Sequence, residues 1–529
     1  MTHRPVSTAQ IRVSRRKVLA GLAGVGVAAG ADLLAACGSS SKPAPAIAGR
    51  GKRYGGNLQA GLTGGSSADT LDPHQGLTYL DTARAQSLYE PLVQLSPDAS
   101  AVEYVLAAEM TSSDAKGTQW VIRLRPDVTF HDGKPLTSAD VVYTFRRIIS
   151  RGYSAAHVLT PVAAAGIKAL DTLTVLLPMT RPYTTLPEQL AGILTAQIVP
   201  DGFNPARPNG TGPFTFKSFT PGQRSVFTRN PHYWQHGLPY ASTLTIIDFP
   251  DTTSLADALI TGQVQAAGTL DPVQVATLSG TSGIHVVVSK AGTIIPFTMR
   301  VDQPPFNDVR VRQAMRLLVD RPQLTDSALD GYGTVASDVF SPYDPDFDHA
   351  LHREQDIPQA RYLLKQAGQE DLTVELVTSA IATGTVAMAT VLAEQATTAG
   401  VTIKLKNVPS GTFFGPDYLQ WTFAQDFYNY APYLAQVTLS MLPTSPWDET
   451  HFHDPAYISL YNQANATTSP RLRKEILYQM QQIDYSQGGY IIPAFIDTID
   501  AYSAKVTGYA QSRIGGPLTN YGFAHFAFI

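Results

Sequence analysis

Residues 119–149, QWVIRLRPDVTFHDGKPLTSADVVYTFRRII, admit few local structures. Trp120, Ile122 and Leu124 fall on one face of a period-two pattern, the mark of a half-buried strand. Pro126 ends it, and a second short extended piece begins at 128–130. Asp132-Gly133 is a turn pair, because Gly tolerates positive φ and Asp bonds its own backbone. Thr137 is placed as an N-cap, with Asp140 three residues on completing a capping box. Val141, Val142, Phe145, Ile148 and Ile149 then recur at helical spacing. The stretch reads as strand, turn and capped helix. His131 and Asp132 have no second ligand and no nucleophile beside them in sequence, so they read as a turn that orients the helix.

A chain of 529 residues is too long for one core, and two or three lobes are expected. With 16% charged and 44% hydrophobic residues, the composition suits a folded globular body and neither disorder nor a polytopic membrane protein. The first 37 residues read as a targeting segment. Ser14-Arg15-Arg16-Lys17-Val18-Leu19 is a twin-arginine export pattern, and the small and apolar run that follows, 18–31, is short for a permanent span and is blunted by Asp32 just beyond it. The run ends in Leu34-Ala35-Ala36-Cys37-Gly38, which resembles a bacterial lipoprotein processing site. Cys37 is the chain's one cysteine and so forms no internal disulfide. The reading is that Cys37 becomes the N-terminus and carries lipid, anchoring an exported protein at the outer face of the cytoplasmic membrane. Residues 38–53, small, polar and rich in Pro and Gly, read as a flexible tether. Residues 1–36 hold five basic side chains and one acidic one. Of the 39 basic and 43 acidic residues, 34 and 42 therefore remain, a net charge of −8. An acidic surface argues against nucleic acid.

Strands are expected at 54–62, 172–177, 242–249 and 490–495, with a hairpin at 214–219 and 225–228. Helices are expected at 82–89, 186–191, 253–260, from 308 onward, at 357–367 with Gly368 as the stop, and at 471–483. Residues 372–377, 386–398 and 401–405 form a β-α-β unit, which implies parallel strands and a right-handed connection. The turn Asn209-Gly210-Thr211-Gly212-Pro213 is Gly-rich but no helix follows it, so it is a poor phosphate cradle.

Residues 413–433 hold nine aromatics in 21 positions, against 9% for the whole chain. Aromatics with polar tips suit a cleft that encloses a mostly apolar or planar solute, and equally suit lobe core plus interface. The candidate ligand-binding residues are Trp421, Asp426, Phe427, Tyr428, Asn429 and Tyr430 from this segment, together with His74. No G-x-S-x-G elbow, H-E-x-x-H, Walker loop or spaced Cys pair occurs. His451-Phe452-His453-Asp454 could offer metal ligands but reads as a polar surface loop. No metal, cofactor or catalytic residue is assigned.

Nine segments in order carry a resemblance: YGGNL at 54–58, TLDPH at 70–74, LYEPL at 88–92, FHDGKPLTSADVVYTF at 130–145, NGTGPF at 209–214, RNPHYW at 229–234, PFNDVRVRQAM at 305–315, GYG at 331–333 and ARYLLKQAG at 360–368. Together they resemble the extracytoplasmic solute-binding proteins of ABC importers, in the peptide/nickel-binding family (family 5). The resemblance implies an α/β, two-lobed periplasmic-binding-protein-like fold of type II with an extra inserted domain. Lobe I is expected at 54–88, 200–290 and 496–529, the inserted domain at 89–199 and lobe II at 291–495. It also implies a monomer that captures a small solute by hinge closure and delivers it to permease subunits with cytoplasmic ATPases. Peptide-binding members hold the ligand's α-amino group with an aspartate. Here DFYNYAP, 426–432, puts Tyr428 at that position and Asp426 about 7 Å from it on the same side of an extended segment. The solute class stays open between peptide, glycoside, metal chelate and others. An extracytoplasmic hydrolase and a sensor-coupled binding protein are the alternative functions.

Overall fold

The computed structural model describes residues 51–76 and 78–529. The export signal, Cys37 and residues 38–50 of the expected tether lie outside the described residues. Among the described residues no helix is long and apolar enough to cross a membrane.

The stretch that constrained the sequence folds as its pattern requires. Gln119–Leu124 is a strand with Trp120, Ile122 and Leu124 buried, and Ser138–Arg151 is a helix. Asp140 closes the helix start by accepting from Thr137 N–H (2.8 Å) and Thr137 Oγ1 (2.7 Å). Gly152 ends it at φ 64°, the left-handed conformation in which a side chain is unfavourable. Val141, Phe145 and Ile148 share one core with the strand's inward face. The strand lies inside a four-stranded antiparallel sheet with Ala107–Ser112, Thr174–Pro178 and Lys168–Ala169. This sheet and its helix form the inserted domain.

Lobe I is built on a sheet of eight strands among the described residues. In order these are Ile284–Ile294, Ala494–Ser503, Ala266–Ala267, Asn57–Thr63, Thr243–Phe249, Arg224–Arg229 and Phe214–Thr220, with Gly333–Val335 on Ala494–Ser503. Asn57–Thr63 runs parallel to both Thr243–Phe249 and Ala266–Ala267. The expected hairpin is present as Phe214–Thr220 and Arg224–Arg229. Lobe II is built on five strands: Thr402–Asn407, Thr373–Thr378, Phe423–Gln425, Phe297–Met299 and Tyr490–Ile491. Its outer pair is parallel and joined by the helix Thr385–Thr397, the expected β-α-β unit.

The lobes are joined by two chains that cross side by side. Ile284–Ile294 pairs with Ala494–Ser503 in the lobe I sheet, where Ile294 faces Phe495. Three residues on, Phe297 faces Ile491 in the lobe II sheet. The single strand expected at 490–495 is therefore two strands in two sheets. Pro493 lies at the switch, where its missing N–H breaks the ladder. Three helices of eight residues or more were not anticipated: Arg321–Leu329, Tyr433–Ser440 and Pro455–Ala466.

Four of the sequence segments clasp one another where the inserted domain leaves lobe I. His131 Nε2 donates to Gly212 O (3.0 Å), and its Nδ1 accepts from Gly210 N–H (3.3 Å). Glu90 accepts from Thr211 Oγ1 (2.8 Å), Tyr233 Oη (2.7 Å) and Trp234 Nε1 (2.9 Å). Glycine is required in this turn because a Cβ at Gly212 would stand 2.6 Å from Leu88 C. FHDG, LYEPL, NGTGPF and RNPHYW are thus a structural clasp, and His131 is a turn residue docked into it.

Candidate functional site

A cavity of about 1200 Å³ lies between the lobes. Its lobe I wall includes residues 63–66 and 250–252 together with Thr269 and Asp271, which follow the parallel strands Asn57–Thr63, Thr243–Phe249 and Ala266–Ala267. Its lobe II wall includes 380–387 and 410–411, which follow the parallel strands Thr373–Thr378 and Thr402–Asn407. Both lobes thus present the carboxyl ends of parallel strands, the edge at which open α/β sheets bind ligands. Residues 191–195 of the inserted domain and 519–525 complete the enclosure.

The aromatic segment crosses this cavity beside the two linking strands. Phe423–Gln425 pairs with Phe297–Met299 and then leaves the sheet. Tyr428 exchanges both backbone hydrogen bonds with Ile294 (2.9 and 3.0 Å), and Tyr430 N–H donates to Ile514 O (2.8 Å). The extended backbone sorts its side chains by parity. Asp426, Tyr428 and Tyr430 are buried, while Phe427 and Asn429 are half-buried and face lobe I. There the Tyr79 ring lies 5.8 Å from the Phe427 ring, and Tyr79 Oη donates to Asn429 Oδ1 (3.4 Å).

Asp426 and Tyr428 join one buried cluster. Asp426 accepts from Tyr418 Oη (2.6 Å) and Phe427 N–H (2.7 Å). Tyr428 Oη donates to Glu449 Oε1, and Tyr490 Oη donates to Glu449 Oε2 (2.8 Å). Asp426 and Glu449 are buried in the same cluster, where two neighbouring carboxyl groups do not both ionise and the pair keeps a proton. Burial above all, then the Asp426 carboxylate, pushes Glu449 well above the usual carboxylate range. Burial raises Asp426 as well. Burial likewise raises the Tyr418 and Tyr428 phenols, which stay protonated as donors.

Five of the seven candidate residues come together here: Asp426, Phe427, Tyr428, Asn429 and Tyr430 all line the cavity. Trp421 does not. Its ring stacks on Phe413 (centroids 6.4 Å apart), its Nε1 donates to Phe413 O (3.3 Å), and Lys406 Nζ lies 5.4 Å from its ring centre. It covers a satellite core of lobe II. His74 is also elsewhere, buried in the junction with the inserted domain. Its Nε2 donates to Gln197 O (2.8 Å) and its Nδ1 accepts from Arg147, which also grips Asp72 (2.5 Å). Burial lowers the His74 imidazole to about 4, so it is neutral and structural. Residues 451–454 show no metal arrangement: His453 binds Asp448 (2.6 Å), His451 accompanies Asp302 (3.3 Å), and Asp454 caps Pro455–Ala466. Among the described residues no group of three potential metal ligands forms. The residues that sequence reasoning missed are Glu449 and Tyr79. The adjacent Asp448-Glu449 was the available signal for the first, but nothing in its spacing ties it to Asp426.

Two lobes, a double-strand crossing and an enclosed cavity between strand ends define a solute-binding class of protein. The chain belongs to the bacterial extracellular solute-binding proteins of family 5, whose middle region matches residues 101–449. It is similar to the glutathione-binding protein GsiB of Salmonella paratyphi A, 30% identical over 316 residues, 58% of this chain and 61% of that protein. The same protein of Escherichia coli O157:H7 is 29% identical over 313 residues, 58% and 60% of the two chains. The match thus spans about three fifths of the length of these relatives. Among solved structures, the fold is similar to AgaA from A. tumefacien R10 in complex with agropinic acid (TM-score 0.80, 20% identity, 90% of this chain and 99% of that one). It is also similar to DppA from Helicobacter pylori with the peptide STSA (TM-score 0.79, 18% identity, 90% and 98%) and to NikA from Staphylococcus aureus with Ni(L-His)2 (TM-score 0.78, 18% identity, 90% and 100%).

Proposed function

We propose that this chain is the extracytoplasmic receptor of an ABC importer, capturing one small solute between its lobes and presenting it to permease subunits driven by cytoplasmic ATPases. The observation that carries the reading is the 1200 Å³ cavity walled by both lobes and bordered by a two-strand crossing. Rotation at 294–297 and 491–494 opens and closes such a cavity while leaving each core packed. Lobe I comprises about 54–88, 200–294 and 494–529, the inserted domain 89–199, and lobe II about 295–493, the linking strands carrying each lobe boundary a few residues from the expected 290 and 496. Asp426, Phe427, Tyr428, Asn429 and Tyr430 supply the lobe II wall and Tyr79 the opposing face.

The reading is non-catalytic, because Asp426 already accepts from a tyrosine and a backbone N–H and has no nucleophile beside it. A twin-arginine signal exports the protein, a monomer, and lipid on Cys37 holds it at the outer face of the cytoplasmic membrane. Native mass spectrometry of protein purified without residues 1–37, followed by denaturing release, tests the capture. A stoichiometric small molecule that leaves on unfolding is expected. No bound species, and no contraction on exposure to growth medium by small-angle scattering, would overturn it.

A further inference from the structure

The cavity wall has a sign. Among the described residues that line it, five are carboxylates, Asp69, Glu90, Asp251, Asp271 and Asp426, and none is Lys or Arg. Asp69, Glu90 and Asp426 are buried; burial raises Glu90 to about 7, so it adds only part of a charge, and the Asp426 side of the wall keeps its negative charge as a carboxyl pair with Glu449. Asp69 has a guanidinium behind it, Arg84 at 2.9 Å, but Arg84 is shared with Asp81 and Asp248 and leaves that wall with excess carboxylate. The Asp426–Glu449 pair has tyrosine hydroxyls and a backbone N–H as its hydrogen-bond partners, and no Lys or Arg. Burying negative charge without a cation is costly, and an entering cation relieves that cost.

The Tyr79 and Phe427 rings, from opposite lobes, add faces that attract positive charge.

We infer that the solute is an organic cation without a carboxylate or phosphate group, an inference that rests on the solute-capture reading. The opposing feature is weaker. Four helices start at the cavity; Thr78 and Asp251 cap two of them, and Thr385–Thr397 and the one-turn Ser410–Phe413 start without a side-chain cap. A full helix start is equivalent to about half a positive charge and a single turn to less, enough to hold a carbonyl or hydroxyl oxygen of the solute and not to balance the lining carboxylates. A free peptide or a di-acid would set its carboxylate against a wall with no basic partner.

The test uses the exported chain without its signal and yeast extract separated at pH 7 into a fraction retained by cation exchanger, one retained by anion exchanger, and a neutral and zwitterionic flow-through. The cation fraction is expected to raise the melting temperature, and acid release from the loaded protein is expected to yield a species of net positive charge. Asp426→Asn is expected to weaken that binding roughly tenfold or more. Should that variant not fold, Asp271→Asn, nearer the surface, is expected to slow association and reduce its salt dependence. Stabilisation by the anion fraction or the flow-through overturns the inference, as does binding indifferent to both substitutions. Stabilisation by no fraction overturns the capture reading beneath it, a separate outcome.

Discussion

Glu449 sets the behaviour of the buried cluster at the cavity wall. It accepts from Tyr428 and Tyr490 and, with Asp426, forms a buried carboxyl pair that keeps a proton. Its folded-state pKa is raised above the unfolded value of 4.5. The stability it contributes is therefore complete below that value and is lost as pH rises toward the folded one. Glu449→Gln, which keeps a donor toward Asp426, should flatten this part of the melting-temperature profile above pH 4.5. Glu449→Ala should cost ~1–3 kcal/mol in chemical denaturation by stranding two phenols and a carboxylate. In ligand affinity the parity of the segment decides. Phe427→Ala should weaken binding by ~1–3 kcal/mol in a protein that still folds, while Trp421→Ala should leave titrated affinity unchanged. The aromatic density of 413–433 was legible in the sequence. Which side chains face the solute was not, because Tyr428 is defined by a carboxylate 21 residues away.

At the level of elements, the legible parts were those held by local chemistry: the Thr137–Asp140 cap, the hairpin at 214–229 and the β-α-β unit. The strand Ala494–Ser503 was not legible, because it is buried on both faces except for its last residue and shows no alternation. Nor did the sequence reveal that its quoted segments meet as a clasp, since that depends on chain returns of some 80 to 140 residues. Two buried histidines, His131 in the clasp and His74 in the junction beside it, carry a pH dependence opposite to that of Glu449 and of the clasp's Glu90, which burial raises to about 7. Burial lowers both His74 and His131 from 6.5 to about 4. Their stabilisation is present above pH 6.5 and is lost as pH falls toward 4. Melting followed from pH 7 to 4 should show this loss, and His131→Gln should shrink it. Gly212→Ala should destabilise by ~1–3 kcal/mol in urea, since Leu88 backbone cannot move away from the added methyl.

For the whole molecule, length indicated two or three lobes and the family resemblance an inserted domain, but the contacts that close the cavity were not legible. The inserted domain meets the far end of lobe II through polar bonds: Thr184 N–H to Asn465 O (2.7 Å), Arg473 Nη2 to Thr184 Oγ1 (2.9 Å), Arg181 Nη1 to Asn462 Oδ1 (2.7 Å) and Thr438 Oγ1 to Gln189 Oε1 (2.9 Å). The clasp binds the inserted domain to lobe I, so rotation at the two-strand crossing must break this polar seam. A seam of exchangeable hydrogen bonds is weak enough to open and directional enough to define one closed state. Removing bonds that exist only in the closed state lowers its population and taxes affinity by the same factor. Arg181→Ala with Arg473→Ala should therefore raise the dissociation constant roughly tenfold, with the empty protein's melting temperature nearly unchanged because no core is touched. Titration calorimetry reads the affinity, and small-angle scattering should show a larger radius at half-saturating solute. An unchanged affinity would mean that the seam stays shut in both states and that closure is set at the crossing strands alone.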